Sequence, residues 1–187
     1  MTFLPRAHGL RRWKTARTLR RCFVAARDRF GFRLVQFAVM GNHLHLVAEA
    51  QDRAALRRGM QGLSIRVAKA LNRLMGRGGK VLADRYYARA LATAAETRAA
   101  LNYVMTNARK HGLAGAGDGA GGTDPYSSAL YFDGWVPPVQ ALMDRCRAAA
   151  ARASPHDALP VAPALTWLAR VGWRRYGAVD PLRPART

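Results

Sequence analysis

A tight turn between two apolar runs is the feature that most constrains this fold. Phe32–Met40 is rich in Phe and Val and predicts a strand, and His43–Glu49 alternates as a second strand. The dipeptide between them, Gly41-Asn42, favours a turn of two residues. Because two strands joined so tightly have no room to cross over, we expect them to pair antiparallel.

Helical patterns flank this hairpin. Residues 14–30 carry apolar side chains at helical spacing, and Gly31 is predicted to end that helix. Asp52 is a predicted N-cap for a long helix to about Met75, because apolar residues recur there in steps of three and four. Those apolar residues are Leu56, Met60, Leu63, Val67, Leu71 and Leu74.

Further along, Thr93 and Glu96 form a capping-box pattern that predicts a helix over 94–111, ended by Gly112. Lys80–Leu91 is predicted to contain another strand. The order helix, hairpin, helix, strand, helix favours an α+β fold, in which an antiparallel β-sheet has helices packed on one face.

A glycine-rich stretch divides the chain. Residues 113–123 read as a flexible linker between a core over 1–112 and a C-terminal extension over 124–187. The extension shows one helical pattern, at about Val139–Ala153, and a short segment at Trp167–Trp173.

The charge is far from balanced. The 187 residues carry a net charge of +20, of which residues 1–112 hold +18 and residues 113–187 only +2. Such a surface repels itself unless it has a polyanionic partner, which points to nucleic acid or an acidic membrane. The first three-fifths of the chain therefore hold the predicted polyanion surface.

Several classes of protein do not fit. No stretch of 18 apolar residues occurs, so no membrane span is expected, and the first residues lack the apolar region of a secretory signal. Cys22 and Cys146 stand far apart, which excludes a zinc finger or a disulfide scaffold and fits the cytoplasm.

His43-Leu44-His45 is the sharpest chemical motif. In a strand, residues i and i+2 leave the same face, so both imidazoles project together while Leu44 and Leu46 point to the other face. Two neutral imidazoles can converge on one divalent ion, although a pair of this kind also occurs as a structural feature.

Tyr103 is the second candidate. On the 94–111 helix, Tyr103, Asn107 and Lys110 stand at i, i+4 and i+7 and share one face. A phenol, an amide oxygen and an ammonium in line are suited to act as nucleophile, ligand and phosphate contact. The alternative is that Tyr103 is an ordinary amphipathic residue at the rim of the core.

Four segments in fixed order resemble one family. Val39–Leu46 is similar to the His-hydrophobic-His motif of the single-tyrosine HUH transposases, most closely their REP-associated branch. The other three segments in the family's order are Gly59–Ser64, Gly79–Tyr87 and Tyr103–Gly112. Tyr126-Ser-Ser resembles a short stretch that follows them, so the resemblance covers about residues 15–133.

The resemblance implies a ferredoxin-like fold and a reaction. His43 and His45, with Asn107, would bind Mg²⁺ or Mn²⁺, and Tyr103 would attack a phosphodiester of single-stranded or hairpin DNA. The product would be a 5′-phosphotyrosine and a free 3′-hydroxyl, which can later rejoin strands without a nucleotide cofactor. The resemblance implies a DNA transposase that is associated with the nucleoid and can act as a homodimer.

Basic side chains near these motifs are the predicted phosphate contacts. They are Arg33, Arg85 and Arg89, interpreted as strand residues, and Arg109 and Lys110 at the helix end. Tyr86 or Tyr87 can stack a base, and Arg57, Arg58 and Arg66 are further candidates.

Two departures from the family keep alternatives open. Only Met1–Pro5 stand where the family has its first strand, so a truncated strand is expected, and Ala108 replaces a usual proline. Both motivate a second hypothesis, a non-catalytic relative that binds hairpin DNA. A metallohydrolase that uses the histidines without a covalent intermediate is a third, and it leaves Tyr103 unexplained.

Overall fold

An antiparallel sheet and five α-helices form an α+β fold in the computed structural model, which describes residues 1–5, 9–83, 85–113, 119–154 and 157–183. Within those ranges the strands are β1 (Asp28–Arg29), β2 (Phe32–Val39) and β3 (Leu44–Ala50). The helices are α1 (Trp13–Ala26), α2 (Arg53–Leu74), α3 (Ala94–Lys110), α4 (Pro137–Ala153) and α5 (Trp167–Arg170). Short 3₁₀ turns occupy Ala120–Gly122, Ala129–Tyr131 and Gly172–Tyr176.

The predicted hairpin is confirmed. β2 and β3 pair antiparallel with Ala38 opposite His45, and the Met40 amide donates to the His43 carbonyl at 2.9 Å across the Gly41-Asn42 turn. This turn fixes the register, and so it fixes which face of the sheet each histidine occupies.

The end of the first helix was predicted wrongly. α1 stops at Ala26, and Gly31 lies instead in a turn between β1 and β2. Phe30 and Gly31 have φ values of 53° and 78°, the two positive values that a type I′ hairpin turn requires. A phenylalanine is an unusual first residue for such a turn, which is why β1 could not be predicted from the sequence.

Helices cover both faces of the sheet, which corrects the prediction of one face. α1 and α2 pack against Phe37 and Leu44, while α3 and the C-terminal segments pack against Val35 and Val47. The physical reason is that β2 is apolar along nearly its whole length, so it is buried on both sides.

α2 and α3 form as their patterns predict. Asp52 caps α2 by accepting from the Ala55 amide at 2.6 Å, and Thr93 and Glu96 form the complete capping box of α3. α2 also approaches β2 very closely at Gly59, where a Cβ atom would lie 2.1 Å from the Phe32 ring. Of the predicted α2 stripe only Leu74, at 40% exposure, lies outside the core.

The first residues extend the sheet beyond β3. The Phe3 amide donates to Asn42 O and the Leu4 amide to Val81 O, both at 2.9 Å. Thr2 forms an antiparallel bridge with His43, next to the start of β3, and Phe3 forms an antiparallel bridge with Leu82. The short first segment therefore does provide backbone pairing next to the histidines.

Of the strand predicted within Lys80–Leu91, the described residues form one bridge, at Leu82. Residues 85–92 run without regular secondary structure. Arg85 and Arg89 are consequently exposed residues of an irregular segment and not strand residues.

The segments after the glycine-rich stretch pack on the core. Tyr126–Ser128 lie along the free edge of β2, and the Ser128 amide donates to Phe37 O at 2.9 Å. Arg11 holds this segment by a two-point ion pair with Asp124, at 2.8 and 2.9 Å. Phe132, Trp135, Val139, Met143, Trp173 and Val179 join α3 and the sheet in one apolar cluster.

The predicted linker lies partly outside the described residues, at 114–118. Its last residues form the 3₁₀ turn Ala120–Gly122. The helix predicted near Val139–Ala153 is confirmed as α4. In the described parts of the chain, no helix has the length and apolar character needed to cross a bilayer.

Candidate functional site

His43 and His45 meet on the α3 side of the sheet. Their Nε2 atoms are 2.9 Å apart, and their rings stand edge to face with centroids at 4.6 Å. Leu44, between them, is buried in the cluster on the opposite face. The hairpin turn places His43 and the antiparallel pairing places His45, so the predicted shared face is confirmed.

The ring of His43 is oriented by its neighbour. His43 Nδ1 lies 2.8 Å from Asn42 Oδ1, and the amide oxygen can only accept, so Nδ1 carries the proton. Nε2 of His43 then presents a lone pair towards His45. A second residue that fixes the tautomer in this way is the usual arrangement around metal-binding imidazoles.

Both imidazoles favour the neutral form. Burial lowers the pKa of His45 to about 4, and the charges of His43, the N-terminal amino group and His111 act in the same direction. Burial also lowers the pKa of His43, again with help from the amino group and His111. Neutral imidazole is the form that binds a metal ion, so the pair is ready to ligate at neutral pH.

Tyr103 completes the group of rings. Its ring lies 5.1 Å from that of His45, centroid to centroid, at an interplanar angle of 82°. α3 brings it there because its buried stripe, which includes Leu101, Val104 and Met105, packs on the sheet face that carries the histidines. The phenol is half-buried at the edge of this cluster.

Asn107 is buried beside this group with its side chain unsatisfied. It is 1% exposed, and neither Oδ1 nor Nδ2 has a hydrogen-bond partner among the described residues. Asn107 lies one turn after Tyr103 on α3 and therefore shares the helix face of Tyr103, whose ring contacts His45; the C-cap His111 follows one turn later. An unpartnered buried amide costs stability, which indicates a ligand-binding role for its oxygen.

The residues present fit a divalent ion. Two neutral imidazoles and an orphaned amide oxygen are ligand types that Mn²⁺ and Mg²⁺ sites use, with water filling the remaining positions. Among the described residues, no group of three His, Cys, Asp or Glu side chains is arranged to hold a metal. The candidate site therefore depends on the amide of Asn107 as its third protein ligand.

The two basic residues at the end of α3 point in different directions. Lys110 is exposed at the last turn, on the helix face of Tyr103 and Asn107. Arg109 points to the C-terminal segments, where its guanidinium would lie 3.1 Å from a Cβ atom at Gly122. Of the two, Lys110 has the freer approach to a bound phosphate.

Of the remaining predicted DNA contacts, Arg33 lies away from the rings. Arg33 pairs with Asp28 at 2.8 Å and donates to Pro163 O, at the far end of β2. Five residues separate it from Ala38, the partner of His45, which is roughly 16 Å along a strand. Arg89 pairs with Glu96 at 2.6 Å, and Arg85 is exposed.

The predicted stacking residues differ in exposure. Tyr86 packs against the apolar cluster under α1 and α2, whereas Tyr87 is 90% exposed. Tyr87 is thus the one of the two whose ring a base can reach.

Sequence reasoning missed His111. It follows Asn107 by one turn at the C-cap of α3, and its charge reaches both histidines of the hairpin. The spacing Tyr103, Asn107, His111, in steps of four, was the available signal.

Comparisons with protein-family models, with curated proteins and with solved structures find no match to this chain.

Proposed function

We propose that this chain is a metal-dependent enzyme that nicks and rejoins single-stranded DNA through Tyr103, in the manner of the single-tyrosine transposases that its motifs resemble. The observation that carries the proposal is the meeting of three rings from two distant segments: His45 contacts both His43 and Tyr103. The orphaned amide of Asn107 beside them supplies the third predicted ligand.

The metal has a limited part in this proposal. His43, His45 and Asn107 would hold the ion, which when bound polarises a non-bridging phosphate oxygen and stabilises the charge of the transition state. The net charge of +20 supports a DNA substrate, because phosphate neutralisation is the main source of affinity for nucleic acid.

The covalent step runs through the phenol. The Tyr103 oxygen forms a bond to phosphorus and loses its proton to solvent, while the bond from phosphorus to the 3′ oxygen breaks and that oxygen takes up a proton. The reverse step, attack by a 3′-hydroxyl, releases Tyr103 and joins strands. Lys110, one turn beyond Asn107, would neutralise phosphate charge at the edge of the site.

The test is a covalent-adduct assay. The full chain is incubated with a 5′-labelled and, separately, a 3′-labelled hairpin oligonucleotide with single-stranded flanks and Mn²⁺, then run on a denaturing gel. We expect a protein–DNA adduct that carries the 3′ label only, since the 5′-phosphate of the downstream strand becomes attached to the protein.

Tyr103→Phe is expected to abolish the adduct and to leave binding of the same hairpin within about twofold. Tyr131→Phe, a change of the same chemistry outside the site, is the matched control and is expected to keep the adduct. Binding without any adduct would favour the non-catalytic relative, and cleavage that survives Tyr103→Phe would favour the metallohydrolase.

Two observations bear on the two motives for the alternative of a non-catalytic relative. The backbone of β3 next to the histidines is paired with Met1–Phe3, through bonds that include Leu44 N to Met1 O at 2.8 Å. α3 continues through Ala108, which is buried, to Lys110, so the missing proline leaves the helix around Asn107 regular.

A further inference from the structure

Two helices on the reverse side of the sheet carry an unusually one-sided charge. α1 and α2 together hold ten basic residues and no acidic one. Their apolar stripes pack on the sheet face opposite the histidines, with Phe23 and Leu63 fully buried there. The basic side chains therefore form a surface that the sheet separates from the candidate site.

The cations follow the helix axes in two rows. Arg66, Lys69 and Arg73 stand at i, i+3 and i+7 on α2, and three residues of α1 repeat that spacing. At 1.5 Å per residue each row extends about 10 Å. The α1 row consists of Lys14, Arg17 and Arg21.

The α2 row and Arg21 of the α1 row border a shallow groove between the helices, which we call the cationic groove. Arg21 lines it on the α1 side, and Arg66, Lys69 and Arg73 line it on the α2 side. Towards the start of α1 the groove continues past Lys14. Among the described residues that line either part, none is acidic and none is Asn or Gln.

The groove cations have no counter-ions among the described residues. Arg33, Arg89 and Arg174 are each tied to an acidic partner elsewhere, whereas within those residues no ion pair involves Arg21 or the α2 row. Burial raises the pKa of the Cys22 thiol at the groove floor, and the nearby charge of Arg66 acts in the opposite direction. Four unpaired like charges in one groove repel one another, so a polyanion bound there relieves an unfavourable arrangement.

We propose that the cationic groove binds the sugar–phosphate backbone of duplex DNA without regard to sequence. Each strand of B-DNA presents one phosphate per 3.4 Å along the axis, so a row of about 10 Å meets about three phosphates with its three cations. Contacts from these cations to phosphate oxygens carry no sequence information, so binding through them does not depend on the base sequence.

The cationic groove uses no residue of the candidate site, so duplex binding there is independent of the cleavage chemistry proposed above. The molecule then has two nucleic-acid surfaces on opposite sides of one sheet, one for a strand to be cut and one for a duplex to be held.

The test measures binding of a fluorescein-labelled, blunt 20-base-pair duplex by anisotropy in EDTA, where the metal site cannot contribute. The variant Arg66→Gln, Lys69→Gln, Arg73→Gln is expected to raise Kd at least tenfold at 100 mM salt. Its slope of log Kd against log salt should fall by about three, one for each phosphate that the variant no longer neutralises.

A matched control removes the same charge elsewhere. Arg145, Arg152 and Arg170 are exposed and lie outside α1 and α2, and their triple change to Gln is expected to raise Kd less than threefold. The variant Arg66→Lys, Arg73→Lys keeps the charge, and its Kd for the duplex should stay within about threefold of that of the unmodified chain. A Kd raised tenfold in this variant would contradict the proposal even if the Gln variant unfolds.

The outcomes separate duplex binding from the proposed function. The Gln variant is expected to keep forming the Tyr103 adduct on a single-stranded oligonucleotide with no duplex part. Equal weakening of duplex binding in the groove variant and in the control would overturn the assignment of the groove. So would groove-dependent binding to phosphatidylserine vesicles with no groove-dependent binding to the duplex, since the partner would then be a lipid surface.

Discussion

The two faces of the sheet differ in how they treat polar groups. Under α1 and α2 the interface is a continuous apolar cluster, closed so tightly that Gly59 touches Phe32. On the other face, two imidazoles of the hairpin meet the Tyr103 phenol of α3, and α3 also carries the buried Asn107 amide, which has no partner among the described residues. The face under α1 and α2 is closely packed, whereas the face under α3 holds polar groups whose burial lowers the stability of the fold.

The difference shows where to look for function in this chain. Unsatisfied buried groups are rare in folded proteins, because each one costs about 1–3 kcal/mol. Asn72, Arg77 and Asn102 also have buried side-chain atoms without partners among the described residues, but of the described asparagines only Asn107 has both amide atoms buried without a partner. Three experiments probe the contrast between the two faces, from the largest expected effect to the smallest.

Gly59→Ala tests the packed face. The new methyl group would lie 2.1 Å from the Phe32 ring, so helix and strand must separate, and we expect the free energy of unfolding to fall by about 2–3 kcal/mol. Gly62→Ala is the matched control, since nothing lies within 4 Å of its added Cβ; it should gain up to about 1 kcal/mol from helix propensity. Urea denaturation measures both, and equal effects would contradict the close packing.

Asn107→Leu tests the reactive face. Replacing an unpartnered buried amide by an apolar side chain is expected to raise the free energy of unfolding by about 1–2 kcal/mol in EDTA, and to reduce the stabilisation by Mn²⁺. Ser128→Ala is the contrasting change, because that hydroxyl is buried and bonded to Gln36 and Phe37; it should lose about 1–2 kcal/mol. Destabilisation by Asn107→Leu would mean that the amide is satisfied in solution.

The histidine pair predicts a pH dependence of stability. In the unfolded chain His45 takes up a proton near pH 6.5, whereas in the folded chain it does so only near pH 4. Protons therefore bind preferentially to the unfolded state between those values, and the melting temperature should fall as the pH drops from 6.5 towards 4. His45→Gln should flatten the part of this slope between pH 6.5 and 5, where few carboxyl groups titrate; an unchanged slope would contradict the lowered pKa.

Local patterns predicted the parts of the fold that local physics determines. The i, i+2 spacing places His43 and His45 on one face of the hairpin, and the register set by the Gly41-Asn42 turn determines which face that is. Capping side chains at Asp52 and Thr93 marked the starts of α2 and α3 correctly because each satisfies backbone amides within its own first turn.

What the sequence did not reveal depends on contacts between distant segments. β1 is only two residues long, so it is too short to show the alternating pattern of a strand. Its turn has a phenylalanine at positive φ, where the sequence would be expected to have Asn, Asp or Gly. Lys80–Leu91 looks like a strand but, within the described residues, finds only Phe3 as a bridge partner. Trp135 and Trp173 join the core under α3 through chain reversals that no short window of sequence encodes.

The candidate site also combines features that local spacing predicts with features that depend on contacts between distant segments. The i, i+2 and i, i+4 spacings predicted the two halves of the site, whereas the approach of Tyr103 to His45 depends on how α3 packs on the sheet. Arg33 was chosen for its place on a strand, but the ion pair with Asp28 that occupies it forms across a turn that the sequence did not predict.

The central claim is that His43, His45 and Asn107 hold one divalent ion beside Tyr103. Electron spin echo spectroscopy of Mn²⁺ bound to the full chain tests it directly, since the modulation reports nitrogen nuclei coupled to the metal. We predict one bound Mn²⁺ per chain with coupling to two imidazole nitrogens, one of which disappears in His43→Gln and the other in His45→Gln, and weaker binding in Asn107→Leu. Mn²⁺ that binds with no nitrogen coupling, or that binds equally well to the variant lacking both histidines, would contradict the account.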